Sequence, residues 1–466
     1  MTSGGLKAKI PTYALLPAVL SLFIFINAIG NDFTYDDEIS IRQNQCIQDA
    51  PLSRLLKSDI WCIEGAQSTG SYRPLTLLLD RAVYRLFGLE PAAFRMLNIA
   101  GYILCVFMAT LLARRFLPDR RSAMLAGLFF AAHPIHSEAV NYISAFSETG
   151  SCFFALLAVY TYSFASEPKQ SWIMRFVSLI LVFAGMLMKE SAVTVLGVFF
   201  IMDLHACLSR DSDEGLDGRC RGRAAGVFVF YLISIAVVSA YILLRICLFE
   251  SFSSIVKPED NPIAGQSWDV YYGTAFSAIA EYLRLLVFPL NLSVEYSFNQ
   301  IPLISLMENP LLVWPGVLML LSTIAALFLI KRNYLFSFGI LFFWITFSIA
   351  SNLLISIPTL VAERQMLLPS FGLCLIVGGL AGRAALMLSR NARAFLWAGV
   401  VILLILGIWR TVMRNIDWSS NMALFDSAVK VTPNSYKARK NLGYWYRKAA
   451  HYDLALEQYR AAQKIS

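Results

Sequence analysis

Three consecutive carboxylates, Asp36-Asp37-Glu38, follow Tyr35 just after the first apolar run of the chain. Like charges this close raise one another's pKa, so the group suits a general base, a divalent cation (Mg or Mn) held by Asp36 and Asp37, or both. A solvated helix end is the plainer alternative. A second cluster contains His133, His136, Glu138 and Glu148. Its histidines stand three residues apart on one helix face, although Pro134 disturbs the turn between them. No cysteine joins them, which favours hydrogen-bond donors beside a phosphate over a tight zinc site. Lys189-Glu190 closes one apolar run and opens another, where the lysine either serves chemistry or snorkels to the interface. Arg364, beside Glu363, can clamp phosphate oxygens through its planar fork or pair with its neighbour.

These groups put carboxylates at one position and Arg, Lys and His at others. Such an inventory suits sugar transfer from a lipid phosphate: a carboxylate takes the acceptor hydroxyl's proton while cations stabilise the departing phosphate. The isoprenoid tail of such a donor would stay in the bilayer, which explains why the groups border apolar runs.

The elements that must position them are membrane helices. Of 466 residues, 57% are hydrophobic and only 15% charged, against about 25% charged in soluble domains. Many apolar runs approach the roughly 20 residues a helix needs to cross a bilayer. The fold class expected is all-α, a polytopic bundle of about eleven spans, because no β-barrel alternation is visible. The spans fall at 11–30, 96–115, 122–140, 149–166, 172–188, 191–208, 224–249, 310–330, 335–353, 366–388 and 394–413. The first run follows Lys7 and Lys9 but ends in Asn-Asp-Phe, which reads as a retained span rather than a cleaved leader.

A net charge of +8 comes from basic residues spread over short loops, as topology control requires, so nucleic acid is not an expected partner. Lys7/Lys9, Arg114-Arg115, Arg120-Arg121, Lys169/Arg175, Arg210 to Arg223, Lys331-Arg332 and Arg390/Arg393 fall on one side if the spans alternate. That side should be the cytoplasm, with the N-terminus inside and the C-terminus outside. The long loop 31–95, the two clusters, Lys189-Glu190, 250–309 and Glu363-Arg364 then share the outer side. Val270 to Phe288 is apolar enough to tempt a twelfth span, but counting it would break the charge rule. It is expected to be a helix at the outer surface. Cys46 and Cys62 both lie in the first outer loop, where oxidation is permitted, and make a candidate disulfide. Cys105, Cys152, Cys247 and Cys374 sit within spans as expected core residues.

After Arg414 the chain turns polar and helical. Leu442, Gly443, Tyr446, Ala455, Tyr459 and Ala462 match the tetratricopeptide template, and Phe425, Ala428 and Pro433 fit the second helix of a preceding repeat. Arg439 departs from the template's tryptophan. About one and a half repeats (416–466) cannot bury a solenoid core alone, so this segment must dock on the membrane domain (1–413) or a protein partner.

The motifs Phe33-Thr-Tyr-Asp-Asp37, Tyr72-Arg-Pro74, His133-Pro-Ile-His-Ser-Glu138, Lys189-Glu190, and Ala362-Glu-Arg364 with Leu368-Pro-Ser370 resemble the transmembrane and tetratricopeptide-repeat O-mannosyltransferases, of the GT-C class of membrane glycosyltransferases. Their order and the C-terminal repeats carry the resemblance over nearly the whole chain. It implies inverting transfer of a mannose-like monosaccharide from a polyprenyl-phosphate donor to an acceptor hydroxyl, often protein Ser or Thr. By carry-over Asp36 is the general base, and Asp37 orients it or helps bind a cation. Arg364, His133, His136 and Lys189 face the donor phosphate, and Glu138, Glu148, Glu190 and Glu363 orient these groups. Phe146 stands where the family often has Arg. The short repeat array looks more like a bacterial relative in an inner membrane, using an undecaprenyl-phosphate sugar. The same chemistry on a lipid or cell-wall glycan, a polyprenyl-lipid flippase, and a scaffold are the competing readings. Transporters usually bury their charges at the midplane between repeated halves, whereas here the charges gather beyond span ends.

Overall fold

The computed structural model describes residues 11–65, 68–165, 171–209, 218–250, 256, 258 and 260–465. Lys7, Lys9, Lys169 and Arg210 lie outside the described residues. Every longer element among those described is a helix: α1 Thr12–Phe25, α2 Pro74–Phe87, α3 Pro91–Phe116, α4 Arg120–Ala132, α5 Phe146–Tyr162, α6 Ser171–Met188, α7 Val195–Leu208, α8 Gly218–Phe249, α9 Trp268–Val287, α10 Trp314–Leu329, α11 Tyr334–Phe347, α12 Ser370–Met387, α13 Arg390–Asp417, α14 Asn421–Val431, α15 Tyr436–Lys448 and α16 Tyr452–Ile465. In hydrocarbon a helix satisfies its own backbone, which is why an apolar chain folds this way.

Helices stand at all eleven places expected of spans. Eight of the described helices are long and apolar enough to cross a membrane, while α1 with its 3₁₀ extension and α11 are shorter apolar helices. The expected span 122–140 is corrected: α4 stops at Ala132, and the chain breaks into short turns through Ala145. Pro134 supplies no N–H, so the helix cannot run on past His133. At 1.5 Å per residue, α4 covers only about 20 Å. Its start is fixed by Asp119, whose side chain accepts from the backbone N–H of Arg121 and Ser122, both at 2.9 Å. Close packing needs small residues here, as at Gly339 and Gly372, where α11 and α12 approach so closely that neither position has room for a Cβ.

The carboxylate and cation motifs fall at one set of helix ends. The opposite ends carry Arg114, Arg115, Arg120, Lys331, Arg332 and Arg390. They are tied together by Arg115 Nε donating to Ser163 Oγ at 3.0 Å and His205 Nδ1 to the Ile330 carbonyl at 3.0 Å.

α9 is not among the eight long apolar helices. Near its start the Tyr271 hydroxyl donates to the Asn352 carbonyl at 2.7 Å, further along the Tyr282 hydroxyl accepts from Ala362 N at 2.9 Å, and at its end the Leu286 carbonyl accepts from His133 Nε2 at 3.0 Å. All three partners belong to the motif end of the bundle, so α9 runs across that end rather than through the bundle.

Cys46 and Cys62 are disulfide-bonded, Cα–Cα 5.5 Å, and pin the first loop. Cys105, Cys152 and Cys374 are buried as expected, but Cys247 is exposed on α8. The helices α14 to α16 do not stand alone. Trp418, Leu424, Phe425, Ala428, Ala438 and Leu442 share one apolar cluster with Tyr142, Ala145 and Val294, so the segment docks on the membrane-helix bundle, over the motif end.

Candidate active site

The acidic loop is positioned by buried polar groups from both ends of the chain. Asn31 Nδ2 donates to the Asn415 carbonyl at 2.8 Å, and Arg95 Nη2 donates to the Asp32 carbonyl at 2.7 Å. Asn415 Nδ2 donates back to the Ile24 carbonyl at 2.9 Å, and its Oδ1 accepts from Asn141 Nδ2 at 2.7 Å. One asparagine thus joins α1, α13 and the broken segment after α4.

Tyr35, immediately before Asp36, has φ +58°, a left-handed conformation that costs a residue with a Cβ about 1 kcal/mol or more. Its N–H donates to Asn421 Oδ1 at 2.7 Å, and Asn421 Nδ2 donates to the Phe33 carbonyl at 3.2 Å. Beyond the strained turn the two aspartates take different partners. Asp37 points inward, fully buried, and accepts from Ser144 N (2.9 Å), Ser144 Oγ (2.7 Å) and Thr34 N (3.1 Å). Asp36 is half-buried and accepts from the Tyr142 hydroxyl at 2.9 Å. Burial raises the Asp36 carboxyl above its ordinary range, against the Tyr142 hydrogen bond and the charges of Lys437 and Arg364. Burial likewise pushes Asp37 up to about 6, with Arg95 the largest opposing influence.

On the other side of Tyr142 stands Arg364, its guanidinium 5.6 Å from the ring centroid. Arg364 does not pair with its neighbour. It is salt-bridged to Glu138, receives a second contact from Glu148 at 3.9 Å, and donates its backbone N–H to Glu138 Oε2 at 2.9 Å. Burial works against its charge, but Glu138, Tyr142 and Glu148 more than offset this and its pKa is raised. Lys189 is salt-bridged to the same Glu148 oxygen. Arg73 reaches Ser147 Oγ at 3.1 Å and Glu190 at 3.7 Å, while Arg73 Nε and Glu190 Oε2 are buried without hydrogen-bond partners. Asp36, Tyr142, Arg364, Glu148 and Lys189 therefore form one continuous polar line, which Arg73 joins through Ser147 and Glu190 beside Glu148 and Lys189.

The remaining motif residues brace it. His133 hydrogen-bonds the Leu286 carbonyl through Nε2 and accepts from Ile135 N through Nδ1. His136 has Tyr102, Phe130 and Ser370 around its two nitrogens. Both imidazoles are thus engaged with protein groups, linking α4 to α9 and α12. Glu363 is buried and accepts from Ser293 N and the Tyr296 hydroxyl, both at 2.6 Å. Burial raises its carboxyl well above the usual range.

A divalent cation was one use considered for Asp36 and Asp37. Asp37 spends its oxygens on three protein donors, and among the described residues no group of three or more His, Cys, Asp or Glu converges to hold a metal. This donor set does not fit a cation held by the protein alone.

Tyr142 and Arg73 were not assigned roles from the sequence. A lone tyrosine in an apolar stretch has no period or charge to mark it. Arg73 lies in Tyr72-Arg-Pro74, and Ser147, which it reaches, adjoins the buried Phe146 that replaces an expected arginine.

No family model matches the chain. It is 27% identical to "Protein O-mannosyl-transferase Tmtc1" of Drosophila melanogaster, over 91% of this chain and 58% of that protein. It is 26% identical to TMTC3 of Mus musculus (94% and 49%) and 27% identical to TMTC1 of Homo sapiens (97% and 55%), both carrying the same enzyme name. The chain spans about half the length of these curated relatives. The chain is thus similar, over nearly all its own length, to protein O-mannosyl-transferases of the transmembrane and tetratricopeptide-repeat type, and its motif residues gather at one end of the bundle.

Proposed function

We propose that the chain is a membrane glycosyltransferase that moves a mannose-like sugar from a polyprenyl-phosphate donor to a protein Ser or Thr hydroxyl, with inversion. The observation that carries this reading is Tyr142, whose hydroxyl bonds Asp36 while its ring faces Arg364. A base and a phosphate-binding cation thus flank one residue. Asp36 takes the proton of the acceptor hydroxyl, and the hydroxyl oxygen forms the new bond to the sugar's anomeric carbon. The bond from that carbon to phosphate breaks, and its electron pair leaves with the polyprenyl phosphate. Arg364, Lys189 and Arg73 bind and stabilise the departing phosphate. Glu148 and Glu138 hold these cations in place until the donor arrives, and His133 and His136 keep the wall behind them rigid. The relatives' names, O-mannosyl-transferases, support mannose as the sugar.

The basic residues at the far helix ends support a topology with those ends in the cytoplasm and the site outside, in a bacterial inner membrane if the donor is an undecaprenyl phosphate. Repeat-like α14 to α16 offer a surface for a protein partner. The test is Asp36→Asn in purified protein supplied with mannosyl-phosphopolyprenol and serine- or threonine-bearing peptides. Transfer should drop by about 10²–10⁴-fold with the fold retained. Undiminished transfer would sink the base assignment, and label appearing only in lipid or glycan would redirect the acceptor.

A further inference from the structure

One cation from outside the membrane-helix bundle reaches a carboxylate that holds the acidic loop. Lys437, on α15, lies 2.7 Å from Asp260 Oδ1 and 3.8 Å from Glu295 Oε2. Glu295 is buried, and the same oxygen accepts the Tyr35 hydroxyl at 3.2 Å. Its other oxygen accepts from Ser297 N at 3.1 Å. The loop holding Glu295 is joined to the α14–α15 connection: Asn299 N donates to the Asn434 carbonyl at 2.9 Å, and Tyr436 N to the Phe298 carbonyl at 2.7 Å. The side chains of Ser293 and Thr432 meet at 3.1 Å. Tyr35 packs against Phe425 of α14 and against Tyr142.

The charged and titratable groups around Asp36 are therefore Tyr35 and Tyr142 beside it, Arg364 from the turn before α12, Glu295 from the loop after α9, and Lys437 from α15. Glu295 is an anion near the proposed base, and an unpaired buried carboxylate there would both repel Asp36 and seek other donors. Lys437 is the cation in contact with it among the described residues.

We propose that Lys437 is a positioning residue of the active site, balancing Glu295 so that Tyr35 and the loop carrying Asp36 stay in place, and that α14 to α16 thereby complete the site in cis. This rests on the reading of Asp36 as the base, but its structural half is tested without turnover. Lys437→Met keeps the stem and removes the charge. Amide exchange of residues 33–38 in the full chain should rise about tenfold, and kcat with mannosyl-phosphopolyprenol should fall about tenfold with donor KM unchanged, because Arg364, the cation assigned to the donor's phosphate, stands across Tyr142 from Asp36. Lys437→Arg should hold both near wild type.

The decisive arm is the pair Lys437→Met with Glu295→Gln. Glutamine can still accept from Ser297 N through Oε1 and donate to the Tyr35 hydroxyl oxygen through Nε2, but carries no charge. Neutralising Glu295 should therefore bring exchange and kcat back to within about threefold of wild type. Simple additivity, or unchanged exchange in Lys437→Met, overturns the proposal. An active Asp36→Asn with the exchange coupling intact overturns the base and leaves the clamp standing.

Discussion

Tyr142 makes the clearest claim at the scale of single residues. Its hydroxyl lowers the pKa of Asp36, against the burial that raises it. Tyr142→Phe keeps the ring under Arg364 but removes that bond, so Asp36 binds its proton more tightly. The acid limb of the pH–rate profile should shift to higher pH, with turnover down about tenfold at neutral pH. Asp37 offers a stability test of defined sign. Its folded pKa is raised from 3.8 to about 6. The folded state therefore holds its proton longer than the unfolded chain, and the stabilisation present below pH 3.8 is lost as pH rises through 6. Asp37→Asn, which cannot titrate, should flatten that part of the Tm-versus-pH curve; an unchanged slope would show that Asp37 is not its source. Asp36, Arg364 and Lys189 were legible because charges beside apolar runs are costly enough to stand out. Tyr142 and Lys437 were not, since one resembles core and the other an ordinary solvated lysine.

At the scale of elements, the sequence located helices well and misjudged where one breaks. Apolar residues continue past Ala132, which suggested a span to 140, yet His133-Pro134 ends α4 and frees the backbone to bend. That bend lets Glu138, Tyr142 and Ser144 converge on the site. Asn415 ties the bend to α1 and α13, and no periodicity marks it. Asn415→Ala leaves several buried partners unmatched and should cost about 2 kcal/mol, seen as a lower Tm together with lost transfer. The Cys46–Cys62 bond closes a loop of sequence separation 16, worth about 3 kcal/mol by loop entropy. Cys46→Ser should lower Tm and expose residues 45–65 to protease, and an unchanged digestion pattern would deny it that role.

For the whole molecule, the alternation of basic and acidic helix ends was readable, because the cost of moving charge across hydrocarbon fixes it. The contacts of α9 with Asn352, Ala362 and His133 keep the count of spans before Glu363-Arg364 compatible with one shared face. In a variant lacking Cys207, Cys220 and Cys247, an impermeant thiol reagent should label Asp269→Cys and Glu281→Cys from the same side as Glu38→Cys. Arg121→Cys should label only from the other. Opposite labelling of the two α9 positions would mean that it crosses, and Arg364 would part from Asp36. How the C-terminal helices dock could not be read, since their partner surface is assembled from residues far away in sequence.

The bond between Asn31 and Asn415 joins residues separated by 384 positions. During synthesis the acidic loop leaves the ribosome long before its anchors at 415, 421 and 437. A nascent chain can insert most of its helices and still lack an ordered base. Release before that point would then yield a membrane-embedded protein whose acidic loop lacks its anchors, and the proposed site would be complete only once translation has passed Lys437.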